Sequence, residues 1–146
     1  MKKEHSFFMH RAIALAKKGE ISGNGAFGAV VVRDYKIIAE AQNTVNTHTD
    51  CTQHAELTVI QKACRALKNK ALEDCILYTS CEPCMMCLGA CYWAKFKTIY
   101  YGASAEDAKD FGFVYSDMYY ASENDDRRKE FNLIQLLRDE AVAVWD

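Results

Sequence analysis

Proline is almost missing from this chain: Pro83 is the only one among 146 residues. Long apolar runs are missing as well. Nowhere do about 18 uncharged apolar residues stand together, which argues against a membrane-spanning helix. The N-terminal MKKEHSFFMHRAIALAKKGE has its apolar positions interrupted by His10, Arg11, Lys17 and Lys18, and no small-residue cleavage site follows. It therefore reads as an amphipathic first helix and not as a signal peptide. An excess of either charge is lacking too: the net charge is -2, so nothing pulls the whole chain toward nucleic acid. Repeats, low-complexity tracts and linkers are absent, and this length accommodates one ordinary domain but not two. The expectation is a single domain over residues 1–146, with no membrane partner.

What is present in quantity is cysteine. There are seven, an odd number in a chain with no secretory signature. That points away from a disulfide framework and toward metal or buried thiols, with the cytoplasm as the expected compartment.

Periodicity supplies the elements. Phe7, Phe8, Arg11, Ala12, Leu15 and Ala16 follow helical spacing, and the glycine-rich GEISGNGAFG after them reads as a loop. Ala29–Arg33 and Lys36–Ala41 read as a hairpin turning at Asp34-Tyr35, followed by a polar loop, TVNTHTDCTQ. HAELTVIQKACRALKN carries one apolar stripe and is a helix. Cys75–Thr79 and Thr98–Gly102 are strands flanking a helix from Cys84 to Lys95, with Pro83 where that helix begins. Residues 103–129 resolve only into short helical pieces, FNLIQLL into a last strand, and RDEAVAVWD into a last helix. The charge run ENDDRRKE (Glu123–Glu130) reads as a solvated surface turn. Hairpin, helix, strand, helix, strand makes an α/β domain whose helices cover a central sheet.

The chemistry concentrates in SCEPCMMCLGAC, Ser80 to Cys91, where Cys81, Cys84, Cys87 and Cys91 have the spacing of a ferredoxin cluster run. Context argues against a cluster: Cys91 is followed by Tyr92 and not by proline, residues 84–95 read as a packed helix, and no second run exists. A thioredoxin-like redox pair at Cys84 and Cys87 fits a C-x-x-C at a helix start better, but it has no use for His54 and Glu56 in the helix before. If two strand–helix units lie side by side, both helix N-termini emerge at one sheet edge. His54, Cys84 and Cys87 then close on a single ion. Two thiolates and an imidazole suit one Zn2+ per chain, and three protein ligands leave a tetrahedral position open for catalysis. Glu56, two residues from His54, is the natural proton carrier. Cys81, Cys91, Cys64 and Cys75 read as buried thiols, and Cys51 as a bystander.

H-x-E followed by P-C-x-x-C is a zinc deaminase signature. With AFGAVVV, Gln42-Asn43, the triplet His54-Ala55-Glu56 and YTSCEPCMMCLGACYWA, it makes the stretch from about Gly25 to Gly102 resemble the cytidine deaminase-like superfamily, in the branch of small bacterial-type guanine deaminases. The resemblance implies a three-layer α/β/α sandwich with a central mixed sheet, one zinc per chain, and a homodimer that exchanges its C-terminal segment. It implies hydrolytic deamination of a free nucleobase, guanine first, with cytosine, an amino-triazine or adenosine in tRNA as alternatives. A thiol oxidoreductase or a structural zinc module stands outside the class. It also makes Asn43 a hydrogen-bonding partner of the base and Phe27 and Trp93 its apolar walls. In that branch an acidic residue follows a Gly-Phe pair in the tail. Here Gly112-Phe113 is followed by Val114, Tyr115 and Ser116, so the carboxylate falls at Asp117, with Tyr115 as the other candidate. Nucleic acid is not an expected partner, since the tail ends in RDEAVAVWD and not in a basic helix.

Overall fold

The computed structural model of the chain describes residues 3–122 and 124–146. Helix α1 (His5–Ile21) leads into the hairpin β1 (Gly28–Arg33) and β2 (Lys36–Gln42). Asp34 and Tyr35 have φ of 51° and 63°, the left-handed pair that a tight two-residue hairpin turn requires. A single helical turn, α2 (Val45–His48), precedes α3 (Ala55–Leu67). Then come β3 (Ile76–Cys81), α4 (Met85–Ala94) and β4 (Thr98–Ala103). The tail adds α5 (Ala105–Asp110), α6 (Asp117–Ala121), α7 (Asn124–Glu130), β5 (Leu133–Gln135) and α8 (Arg138–Ala143).

The five strands form one sheet in the order β2-β1-β3-β4-β5. It is mixed: β1 runs antiparallel to β2 and β3, while β3, β4 and β5 are parallel. The two-residue alternation of a strand sorts its side chains into two cores. Ala29 and Val31 face α3 and α4, meeting Val59, Ile60, Ala63 and Cys91. Val30 and Val32 face α1, meeting Phe8, Met9, Ala12 and Leu15. Helix α8 lies on the α1 side, where Ala141 packs with Ala103 and Ile13. The result is the expected three-layer α/β/α sandwich. Burying each of Val30, Val31 and Leu77, which expose nothing, stabilises it by roughly 1.5–3 kcal/mol.

This topology makes the edge on which everything else depends. Because β1 is antiparallel to β3, the start of β1 and the end of β3 share one edge, tied by Gly28 N–H donating to Ser80 Oγ at 3.0 Å. The end of β2 arrives there as well, since Gly28 pairs with Gln42. Phe27, Asn43 and the segment after Cys81 are thereby gathered at the edge where ligands bind in such sheets.

Several local expectations need correction. The first helix does not stop at Gly19 but runs to Ile21. A Cβ on Gly19 would sit 2.9 Å from the Gly25 carbonyl, so this glycine permits close passage of the loop and does not break the helix. Pro83 is not the first helical residue; Cys84 caps α4, and the helix opens at Met85. The run from Glu123 to Glu130 is not a solvated turn. Glu123 lies outside the described residues, but from Asn124 onward the run is helical and Arg127 is buried.

Candidate active site and metal centre

Two helix N-termini meet at that edge. His54 is the N-cap of α3 and Cys84 the N-cap of α4, both in extended backbone that turns their side chains off the helix end. His54 Nδ1 lies 3.6 Å from Cys84 Sγ and 3.6 Å from Cys87 Sγ. In tetrahedral zinc with ordinary Zn–S and Zn–N lengths, the N-to-S edge is about 3.5–3.6 Å. Among the described residues, these three form the only group of three or more His, Cys, Asp or Glu side chains close enough to hold one metal ion. The donor set and its edge lengths fit zinc.

The electrostatics agree with that fit. The Cys84 thiol is pulled down to about 4, chiefly by the hydrogen bond from Cys87, with His54 adding to it. Cys87 is pushed up in return, because the pair holds a proton between its sulfurs, and the hydrogen bond to Cys84 raises His54. A divalent cation binding both sulfurs displaces that proton.

Glu56 stands in the first turn of α3, 5% exposed. Burial, followed by the charge on Cys84, pushes its carboxyl up to about 7. A cation held by His54, Cys84 and Cys87 counteracts both effects and draws the group back toward the carboxylate.

His54, Glu56 and Cys84 form the floor of a pocket with an empty volume of about 320 Å³, walled by Phe27, Asn43 and Tyr115. Asn43 is buried, and its Oδ1 accepts the Val45 N–H at 3.0 Å. Its Nδ2 has no hydrogen-bond partner among the described residues. Phe27 is held from behind by the tail: the Phe113 ring stands edge-on at 5.0 Å, and Trp145 donates from Nε1 to the Ala26 carbonyl at 3.0 Å.

The sequence-derived candidates therefore divide. His54, Cys84, Cys87, Glu56, Asn43 and Phe27 come together; Trp93 and Asp117 do not. Trp93 is 74% exposed, because Cys87, Cys91 and Ala94 define the buried face of α4 and position 93 points away from it. Asp117 is exposed at the start of α6. Its expected place is taken by Tyr115, which lines the pocket and donates its hydroxyl to the Glu82 carbonyl at 2.6 Å. Cys81 and Cys91 are buried thiols, and Cys51 is exposed away from the group.

Sequence reasoning also passed over Glu82, Tyr119, Arg127 and Arg128. One signal was there: Glu82 is a charge at the end of an apolar strand, and a buried carboxylate needs a cation from somewhere.

The comparisons with known proteins follow the same outline. The family described as "Cytidine and deoxycytidylate deaminase zinc-binding region" matches residues 2–103. The chain is 54% identical to the guanine deaminase of Bacillus subtilis, over 79% of this chain and 74% of that protein. It is 38% identical to the tRNA-specific adenosine deaminase of Aquifex aeolicus, over 74% and 70% respectively. The X-ray structure of the Bacillus subtilis guanine deaminase superposes with a TM-score of 0.78 at 53% identity, covering 81% of this chain and 76% of that one. Metal-site geometry, sheet topology and sequence agree: this chain belongs to the cytidine and deoxycytidylate deaminase family of zinc-binding proteins.

Proposed function

We propose that the protein deaminates a free nucleobase hydrolytically, with guanine as the best substrate. The observation that carries the chemistry is the buried Glu56 carboxylate beside the His54, Cys84 and Cys87 trio, at the floor of a pocket walled by Phe27, Asn43 and Tyr115. The choice of guanine is supported by the 54% identity to a guanine deaminase.

In this reading His54 Nδ1 and the sulfurs of Cys84 and Cys87 hold the ion. Zinc, when bound, supplies the Lewis acidity that makes hydroxide available near neutral pH. Glu56 takes one proton of the attacking water and gives it to the ring nitrogen, then takes the remaining hydroxyl proton and gives it to the departing amine. The exocyclic C–N bond breaks, a C=O replaces it, and ammonia leaves. Asn43 offers its Nδ2 to an acceptor on the ring, while Phe27 and Tyr115 hold the ring and exclude water.

One observation favours a second reading. Asp117 stands outside the pocket and Tyr115, its hydroxyl held by the Glu82 carbonyl, lines it, so no tail carboxylate faces the base where one was expected. In that reading the preferred ring changes, with cytosine or an amino-triazine next after guanine. The test is a panel of guanine, cytosine, ammeline, adenine, cytidine, guanosine and a tRNA anticodon stem–loop, scored by kcat/KM from ammonia release. Guanine leading supports the proposal, a tenfold lead for cytosine or the triazine replaces guanine, and turnover of RNA alone overturns the nucleobase reading.

No helix of the described residues is long and apolar enough to cross a membrane, and a cytoplasmic enzyme is the compartment we propose. A homodimer belongs to the same proposal. Met85, Met118 and Trp93 expose 43%, 70% and 74% of their surfaces on α4 and α6, and apolar exposure of this kind marks interaction surfaces.

A further inference from the structure

The segment ENDDRRKE has a use that its charge alone conceals. Glu82, at 0% exposure, is held on every side. Its Oε1 accepts Arg128 Nη2 at 2.9 Å and the Ala105 N–H at 2.9 Å. Its Oε2 accepts Arg128 Nε at 3.0 Å and Arg127 Nη2 at 3.2 Å. Its backbone carbonyl accepts the Tyr115 hydroxyl, and the next carbonyl, Pro83, accepts the Tyr119 hydroxyl at 2.8 Å. Arg127 is itself packed over the Tyr119 ring, 4.1 Å from its centroid.

The residue after Pro83 is Cys84. Pro83 has a fixed φ and no N–H of its own, so the backbone entering the metal site is set by Glu82 and by these two carbonyls. Every side chain that grips them comes from residues 115–128, beyond the 2–103 stretch that matches the family. A buried ion pair is a poor device for stability alone, because desolvation offsets most of its attraction. What two guanidinium forks supply is a fixed geometry.

We propose that Glu82 is a positioning residue, through which Arg127 and Arg128 set the place of the Cys84 sulfur and tie it to the pocket wall at Tyr115. This rests on His54, Cys84 and Cys87 holding zinc, and not on the identity of the base. Partners behind a metal ligand typically matter ten- to a hundredfold in metal affinity when they are removed.

The experiment measures the zinc dissociation constant of the full chain by competition with a chromophoric chelator, alongside circular dichroism and urea unfolding. Glu82→Gln and Arg128→Met are expected to raise the zinc Kd on the order of 10- to 100-fold while helix content stays at the wild-type level. Arg128→Lys keeps the charge but not the fork, and should recover only a small part of the loss. Zinc affinity unchanged in both variants, even with lowered stability, overturns the proposal and leaves the cluster a plain tether. If Glu82→Gln does not fold, Tyr119→Phe, which removes a single hydroxyl, decides: a several-fold weaker zinc Kd supports positioning, and an unchanged one overturns it. A wild-type chain that binds zinc yet turns over no base sinks the deaminase reading and leaves this one standing.

Discussion

The sulfurs of Cys84 and Cys87 each lie 3.6 Å from His54 Nδ1, and Glu56 lines the same pocket, so the roles proposed for them turn on single atoms. Glu56→Gln keeps the shape of the side chain and removes its capacity to carry a proton. We expect the variant to retain zinc and fold while kcat falls on the order of 10²–10⁴-fold, measured as ammonia release. Retention of more than a small fraction of the rate would take Glu56 out of the mechanism. The ligand set is tested by metal content. Cys84→Ser and Cys87→Ser should lower zinc per chain, whereas Cys91→Ser, on a thiol outside the trio, should leave it near one. Loss of zinc from Cys91→Ser equal to that from Cys84→Ser would redraw the site.

At the scale of elements, the site depends on how closely helices approach the sheet edge. A Cβ on Gly28 would lie 2.2 Å from the Ala12 carbonyl oxygen and 2.6 Å from the Ala16 nitrogen, both backbone atoms of α1 that cannot move aside. Gly28→Ala should therefore destabilise the fold by about 1–3 kcal/mol or more in urea unfolding, and shift Phe27, its neighbour. A second junction joins α5 to α8. Asp107 closes a capping box with Ser104 and is paired with Arg138, whose hydrogen bond holds its carboxyl below the usual 3.8. A carboxyl depressed in the folded state contributes stability above its ordinary value, and loses it as pH falls through the folded value. Asp107→Asn should thus cost about 1 kcal/mol at neutral pH. The gap from the wild type should close in acid, and a gap that persists there would assign the effect to packing.

The periodic elements up to Ala103 were legible because their apolar spacing faces a core they share with near neighbours in sequence. The metal trio was legible because H-x-E followed by P-C-x-x-C sets His54, Cys84 and Cys87 at two helix starts, a spacing that suits few other purposes. Trp93 and Asp117 were misplaced for a physical reason. Trp93 lies off the face that Cys87, Cys91 and Ala94 bury on α4, whereas the place of Asp117 depends on how the tail folds back, a path that includes Glu82 reaching Arg127 and Arg128, 45 and 46 residues on. Nothing local in ENDDRRKE signals it.

Over the whole molecule, the tail is the part that lies beyond the family match at residues 2–103. It closes the pocket with Tyr115, grips the metal loop with two arginines and leaves Trp93 and Met118 exposed. Light scattering at micromolar concentration is expected to give about twice 16.6 kDa. A clean monomer that still turns over base would remove the homodimer from the proposal. The same tail has an optical consequence. The chain has two tryptophans, one 74% exposed and the other, Trp145, half-buried with its ring 5.7 Å from Phe27 and 5.2 Å from Phe113. Replacing Trp93 by phenylalanine leaves a single tryptophan lodged behind Phe27, the wall proposed to touch the base. In the Glu56→Gln background, where a bound base should persist, tryptophan emission is expected to change with occupancy and so to report it without dye or label.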